Sequence, residues 1–196
     1  MRRIVTGFTP FDGREINGSW VAAKSVDNWL SAEIPVVWGA PAKVLNELNK
    51  EHSPEIIVSL GEGREGWFDL ESKARNQREE REDNHQIRPD GTLIDPGGPA
   101  AYDATADLVS IARRLSQFGY PIRRSADAGQ FLCEETLYVL EQLKQANSGI
   151  KLVLFCHVPP FGTRFRQNGK DQLADEGTLA KFARELVDAV IQTVKT

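Results

Sequence analysis

The chain has 196 residues, of which 40% are hydrophobic and 27% charged, with a formal net charge of -4 and a pI near 5.5. These values exclude a disordered or fibrous chain and allow one continuous core, so a single domain over residues 1–196 is expected. The mild acidity argues against nucleic acid or an anionic membrane as a partner, and no apolar run approaches the ~20 residues that a membrane span needs.

Residues 3–8 read as an N-terminal strand rather than a leader, running into a Gly/Pro turn that contains Phe8 and Phe11. Aromatics in such a turn usually pack back onto the core; a pair beside a strand end also makes an apolar slot for a ligand ring. Ser19 is placed to cap a helix with Val21, Ala22, Val26 and Leu30 at helical spacing. A second strand is expected over Ile34 to Ala40, a second helix over Pro41 to Glu51, and a third strand over Pro54 to Leu60. The order βαβαβ predicts an α/β fold with an open, mostly parallel sheet.

Gly61 to Gly66 matches G-x-G-x-x-G, the spacing of a dinucleotide-binding turn. That fingerprint needs a helix after the loop, but Trp67 to Ala74 alternates like a strand, and Glu62 and Glu65 would repel phosphate. No nucleotide cofactor is therefore expected. Residues 76–98 are long, polar and aperiodic, which predicts an extended loop, and its Arg78 to Asp83 charge run reads as a solvated face. A helix over Asp103 to Gln117 and a strand over Tyr120 to Ser125 follow. The small-residue turn Ser125 to Gly129 then delivers Cys133 to the first turn of another helix, marked by Leu137, Leu140 and Leu143. Ile150 to Cys156 is the most apolar strand and ends at His157, Pro159 to Gly169 reads as a loop, and Gln172 to Val194 closes the chain as a long helix.

Cys133 and Cys156 are the only cysteines, too few for a disulfide framework, so a reducing, cytoplasmic setting is expected. They do not form a C-x-x-C pattern, neither His52 nor His85 has a partner at metal-ligand spacing, and no metal or other cofactor is called for. A lone cysteine on an apolar helix is commonly a core residue. At a helix N-terminus it is also where the dipole favours thiolate, and a histidine at a nearby strand end supplies the base that acyl transfer requires. A third group must fix the imidazole tautomer; Glu71, just past the glycine loop, is a candidate, although a surface carboxylate is the plainer reading.

Several stretches carry a resemblance when taken in order: Val5 to Gly13 with Asn17, Ser19 and Trp20; Glu71 five residues before Asn76; Gly98 to Tyr102; Ser125 to Cys133 with Tyr138; and Phe155 to Pro159. Together they resemble the pyroglutamyl peptidase I (pyrrolidone-carboxylate peptidase) family of cysteine peptidases. The resemblance implies a three-layer α/β/α sandwich and cofactor-free removal of an N-terminal 5-oxoproline residue from peptides. Cys133 would be the nucleophile, His157 the general base and acid, and Glu71 the residue orienting it. Phe8 and Phe11 match the aromatic pair that sandwiches the lactam ring, Asn17 an asparagine beside it, and Arg64 a basic side chain that joins the Cys133 amide at the oxyanion. Glu62 stands where the family usually has a glutamine that holds the lactam, and Glu134 follows the nucleophile where asparagine is usual. The glycine loop is about one residue short, and Gly18 replaces a proline. The family's tendency to assemble leaves homo-oligomerisation open. Two rival readings remain: a divergent amidohydrolase acting on another small cyclic or acyl amide, and a non-catalytic binding module in which Cys133 is an inert core thiol.

Overall fold

In the computed structural model, which describes residues 1–194, one mixed sheet lies between two layers of helices. Its strands are β1 (Arg3–Phe8), β2 (Leu30–Ile34), β3 (Ile56–Glu62), β4 (Phe68–Glu71), β7 (Ile122–Ser125) and β8 (Leu152–Val158), in the order β2-β1-β3-β8-β4-β7. The β1·β2, β1·β3, β3·β8 and β4·β7 pairs are parallel, and β4 runs antiparallel to β8. The sheet is thus mostly parallel, as the alternation of strands and helices predicts. β3 and β8 are buried along nearly their whole length, the expected state of central strands covered on both faces.

The helices are α1 (Gly18–Lys24), α2 (Ala40–His52), α3 (Leu108–Gln117), α4 (Leu132–Ala146) and α5 (Glu176–Val194). α1 and α3 pack on α5 over one face, where Val58, Leu60, Phe68 and Leu70 meet Phe182 and Leu186; α2 and α4 cover the other, against Ile57, Val153 and Phe155. The two apolar clusters follow the alternation of inward residues along each central strand.

Several boundaries differ from the sequence reading. The second strand is Leu30–Ile34, paired from Ile4↔Leu30 to Phe8↔Ile34, whereas residues 35–39 turn into α2. Pro35 brings no N–H to continue a ladder, and the left-handed Gly39 precedes the helix. The cap of α1 is Asn17, whose Oδ1 accepts from Ser19 N–H at 3.0 Å, rather than Ser19 itself. The predicted strand over Trp67 to Ala74 splits at Ser72: β4 joins the main sheet, while β5 (Lys73–Arg75) pairs with β6 (Ala101–Asp103), which occupies the expected start of α3. Residues 159–169 are not all loop, since β9 (Arg164–Gln167) and β10 (Lys170–Leu173) form a hairpin; α5 begins only after Asp175, whose carboxylate accepts from Thr178 N–H at 2.8 Å.

Residues 76–98 contain no helix or strand, yet their backbone and side chains are pinned at many points. Trp38 donates its indole N–H to Arg81 O at 2.8 Å, and the Asp83 carboxylate accepts from the amides of Trp38, His85 and Ile87. Asn76 ties the far end by accepting from Asp95 N–H and donating to Asp95 O. Among the described residues, no helix is long and apolar enough to cross a membrane.

Candidate active site

The ends of β1, β3 and β8 bring Phe8, Glu62 and His157 to one rim of the sheet, where parallel sheets open crevices. Cys133 reaches this rim by another route. β7 runs against β8, so its end does not belong to that rim, and residues 126–131 must cross to set Cys133 in the first turn of α4. Phe131 caps that helix without a side-chain hydrogen bond.

His157 is buried, and its Nδ1 lies 2.8 Å from Glu71 Oε1. Because an ionised carboxylate only accepts, Nδ1 carries the proton in that contact, and Nε2 is left for another partner. Cys133 Sγ and the same ring both crowd the Gly61 backbone, close enough for the charge of one to act on the other. Burial alone would push the imidazole towards neutrality, but the thiolate of Cys133 and the carboxylate of Glu71 outweigh it and raise the pKa of His157 to about 10. The arrangement sets a thiol, an imidazole that is held protonated, and an acid side by side, the grouping that nucleophilic attack by cysteine on a carbonyl requires.

The glycine loop explains itself by clearance. A Cβ on Gly61 would lie 2.9 Å from Cys133 Sγ and 3.2 Å from His157 Cδ2, and one on Gly63 would lie 2.6 Å from His157 Cβ. The G-x-G spacing lets backbone pass beneath thiol and imidazole, and a strand follows it, unlike the helix of a nucleotide-binding turn.

Phe8, Phe11 and Asn17, together with Val36, Glu62 and Phe131, line a narrow slot that ends at Cys133. A wider cleft of about 280 Å³ opens beside it and includes Arg64, Glu71, Asp127, Cys133 and His157. All eight candidate residues therefore border these two adjoining spaces. The Glu62 side chain is only 2% exposed: Oε1 accepts from the amides of Gly18 (2.6 Å) and Phe161 (2.9 Å), and Oε2 meets Arg14 Nη1 at 2.7 Å. Arg14 also lies over the Phe11 ring at 5.2 Å. Asn17 is engaged internally, its Nδ2 donating to Thr9 O and its Oδ1 accepting from Ser19. Arg64 is 64% exposed with a long 3.9 Å ion contact to Asp127.

Glu134 turns away from the cleft; its Oε1 accepts from Arg75 N–H at 2.6 Å. Burial raises its pKa to about 7 against the opposing pull of the Arg75 amide and guanidinium, so near neutrality much of it is uncharged and its effect on the neighbouring thiolate is weakened. Cys156 is wholly buried, and burial first, then Asp69 and Glu71, push its thiol well up, leaving it unreactive. Among the described residues, no group of three or more His, Cys, Asp or Glu side chains is placed to hold a metal.

Three residues escaped the sequence reading. Phe131 forms a slot wall, with Arg81 over its ring at 4.5 Å; its signal was an aromatic two residues ahead of a helix-start cysteine. Arg14 and Asp69 had no local signal, because each depends on partners more than forty residues away.

The family model described as Pyroglutamyl peptidase matches residues 1–180. The chain is 31% identical to the pyrrolidone-carboxylate peptidase of Cupriavidus necator over 97% of this chain and 93% of that protein. It is 35% identical to the pyrrolidone-carboxylate peptidase of Gloeobacter violaceus over 81% and 82%. Among solved structures, pyroglutamyl peptidase I from Bacillus amyloliquefaciens superposes with a TM-score of 0.83 at 27% identity, covering 100% of this chain and 97% of that one. A mutant pyrrolidone carboxyl peptidase from Pyrococcus furiosus shares the fold with a TM-score of 0.85 at 24% identity, over 99% and 100% of the two chains.

Proposed function

The chain belongs to the pyroglutamyl peptidase family, and from that premise we propose how its residues divide the work of a cysteine peptidase that hydrolyses the amide bond after an N-terminal 5-oxoproline. The lactam ring enters the slot between Phe8 and Phe11, with Phe131 closing the side. An uncharged ring enters without penalty, whereas a free amino terminus would bring an ammonium that these walls cannot solvate. Glu62 offers the ring N–H a carboxylate already neutralised by Arg14 and two amides.

The Cys133 thiolate attacks the 5-oxoproline carbonyl carbon, and the new C–S bond forms as the C=O pair moves onto oxygen. That oxyanion faces the amides at the start of α4, with Arg64 available from the glycine loop. As the intermediate collapses, the C–N bond breaks and the His157 imidazolium gives its Nε2 proton to the departing amine. His157, now neutral, takes a proton from water, whose oxygen displaces sulfur from the thioester; 5-oxoproline leaves and the thiolate–imidazolium pair is restored. Glu71 keeps the ring in the tautomer that presents Nε2 throughout. The observation that best supports these roles is the Glu71–His157 contact at 2.8 Å, in a ring that also interacts with Cys133.

The two free thiols fit a cytoplasmic setting, and a peptide or small amide is the partner this site takes. The experiment compares wild type with Cys133→Ala on pyroglutamyl and other acyl arylamides, alongside iodoacetamide labelling. Loss of pyroglutamyl cleavage in the variant and rapid labelling of Cys133 are expected. Cleavage confined to a different acyl group would replace the substrate, and undiminished cleavage by the variant would remove Cys133 as nucleophile.

A further inference from the structure

The strand that supplies Glu71 presents a second acid to the same cleft. Asp69 lies two residues earlier and so shares its face of β4, and it stands directly across from His157 in the antiparallel β4–β8 register, where opposed side chains are neighbours. It is buried and borders the cleft with Glu71, Cys133 and His157. Two carboxylates beside one imidazole pose a problem of choice, since an acid opposite the ring competes for the imidazolium and for its orientation.

That competition is resolved from β7. Arg123, in register with Asp69, donates Nε to Oδ1 and Nη2 to Oδ2, each at 2.7 Å. This two-point fork matches a carboxylate in geometry and charge, and the other side of the guanidinium rests over Trp67 at 4.7 Å. We propose that Arg123 is a positioning residue for the peptidase reaction: by occupying both oxygens of Asp69 it withdraws that acid from His157 and leaves Glu71 to orient the ring. The inference rests on the roles given above to Cys133, His157 and Glu71.

The groups facing His157 are Cys133 from α4, Glu71 and Asp69 from β4, and Arg123 behind Asp69 on β7; Glu62, Arg64, Glu79, Arg81 and Asp127 stand around the cleft. The hydrogen bonds that Arg123 donates to Asp69 raise the Arg123 pKa, against the pull of burial, with the charges of Asp69 and Glu71 adding to the rise. Arg123 thus senses both acids. Deleting its charge leaves Asp69 bare and favours imidazolium; deleting the charge of Asp69 leaves Arg123 bare and disfavours it.

The test measures kcat and kcat/KM for a pyroglutamyl arylamide from about pH 6 to 11, with the folded fraction followed by circular dichroism, in Arg123→Met, Asp69→Asn and the double variant. Arg123→Met should move the alkaline limb upward by on the order of half a pH unit and lower kcat about tenfold, as Asp69 draws the ring from Glu71. Asp69→Asn should move the limb downward, and the double variant should return it near wild type. Folded single variants with unmoved limbs, or activity losses that only follow the unfolded fraction, would overturn the proposal. Its failure is distinct from failure of the mechanism, which Cys133→Ala reports independently.

Discussion

At His157, burial and charge act in opposite directions. A buried ring without partners would be neutral at physiological pH; beside the Cys133 thiolate and Glu71 it stays protonated up to about pH 10. A pKa raised above the ordinary value means that the pair's contribution to stability is fully present below about pH 6.5 and is lost as pH rises through the folded value. For activity, the alkaline limb of kcat/KM is expected well above the range of a free imidazole. Glu71→Gln, which preserves shape but removes a charge, should lower that limb and reduce kcat by on the order of 10²–10⁴, as measured by a pH–rate profile of the variant. Gly63→Ala tests the clearance argument. Its new Cβ would lie 2.6–2.8 Å from the His157 side chain, so cleavage should collapse while the chain remains folded by circular dichroism. The sequence made Cys133 and His157 visible as a helix-start thiol and a strand-end imidazole. It could not distinguish Glu71 from any other acid without the resemblance, because the contact spans 86 residues.

Among the elements, α4 departs furthest from its sequence pattern. Its leucines mark a buried stripe correctly, but Glu134, Glu135 and Glu141 are also buried, where periodicity would place acids on a solvated face. Each meets a group from the 75–105 region: Arg75 N–H, the Arg78 guanidinium and Thr105 N–H, respectively. Those partners are distant in sequence, which is why the burial was illegible. Burial lifts Glu141 to a pKa of about 7, against the Thr105 hydrogen bonds. Here the folded chain holds its proton more tightly than the unfolded chain, so this residue's effect on stability worsens as pH rises from about 4.5 to 7 and then levels off. Glu141→Gln should therefore stabilise the protein by on the order of 1–3 kcal/mol at about pH 8 and have little effect near pH 5; urea denaturation at the two values reads the difference. β4 invites a complementary test from its other face. Phe68 stacks on Phe182 at 3.9 Å and meets Tyr120 and Phe165 edge-on, so Phe68→Ala should cost about 3–5 kcal/mol in a denaturant melt.

For the molecule as a whole, the α/β class was legible because apolar runs alternate with amphipathic ones, and three of the site's supports fall at strand ends where crevices form. The reversal of β4 and β7 was not legible: four- to six-residue strands carry no directional mark, and direction is settled by which neighbours they meet. The acid-bearing β4 lies antiparallel beside β8, so that imidazole and carboxylate meet on neighbouring strands of the sheet while the thiol reaches them from α4. The strap of residues 76–98 was legible as a loop but not as a fixture, since its anchors on Pro10 and on Val36 and Trp38 come from two remote turns, after β1 and after β2. Through Arg81 it also braces Phe131, the slot wall next to the nucleophile. A single nick after Arg81, whose side chain is 40% exposed, would turn this brace into two dangling arms, so during trypsin digestion the decay of turnover should keep step with the appearance of the cut, even while the two fragments still migrate together on a sizing column.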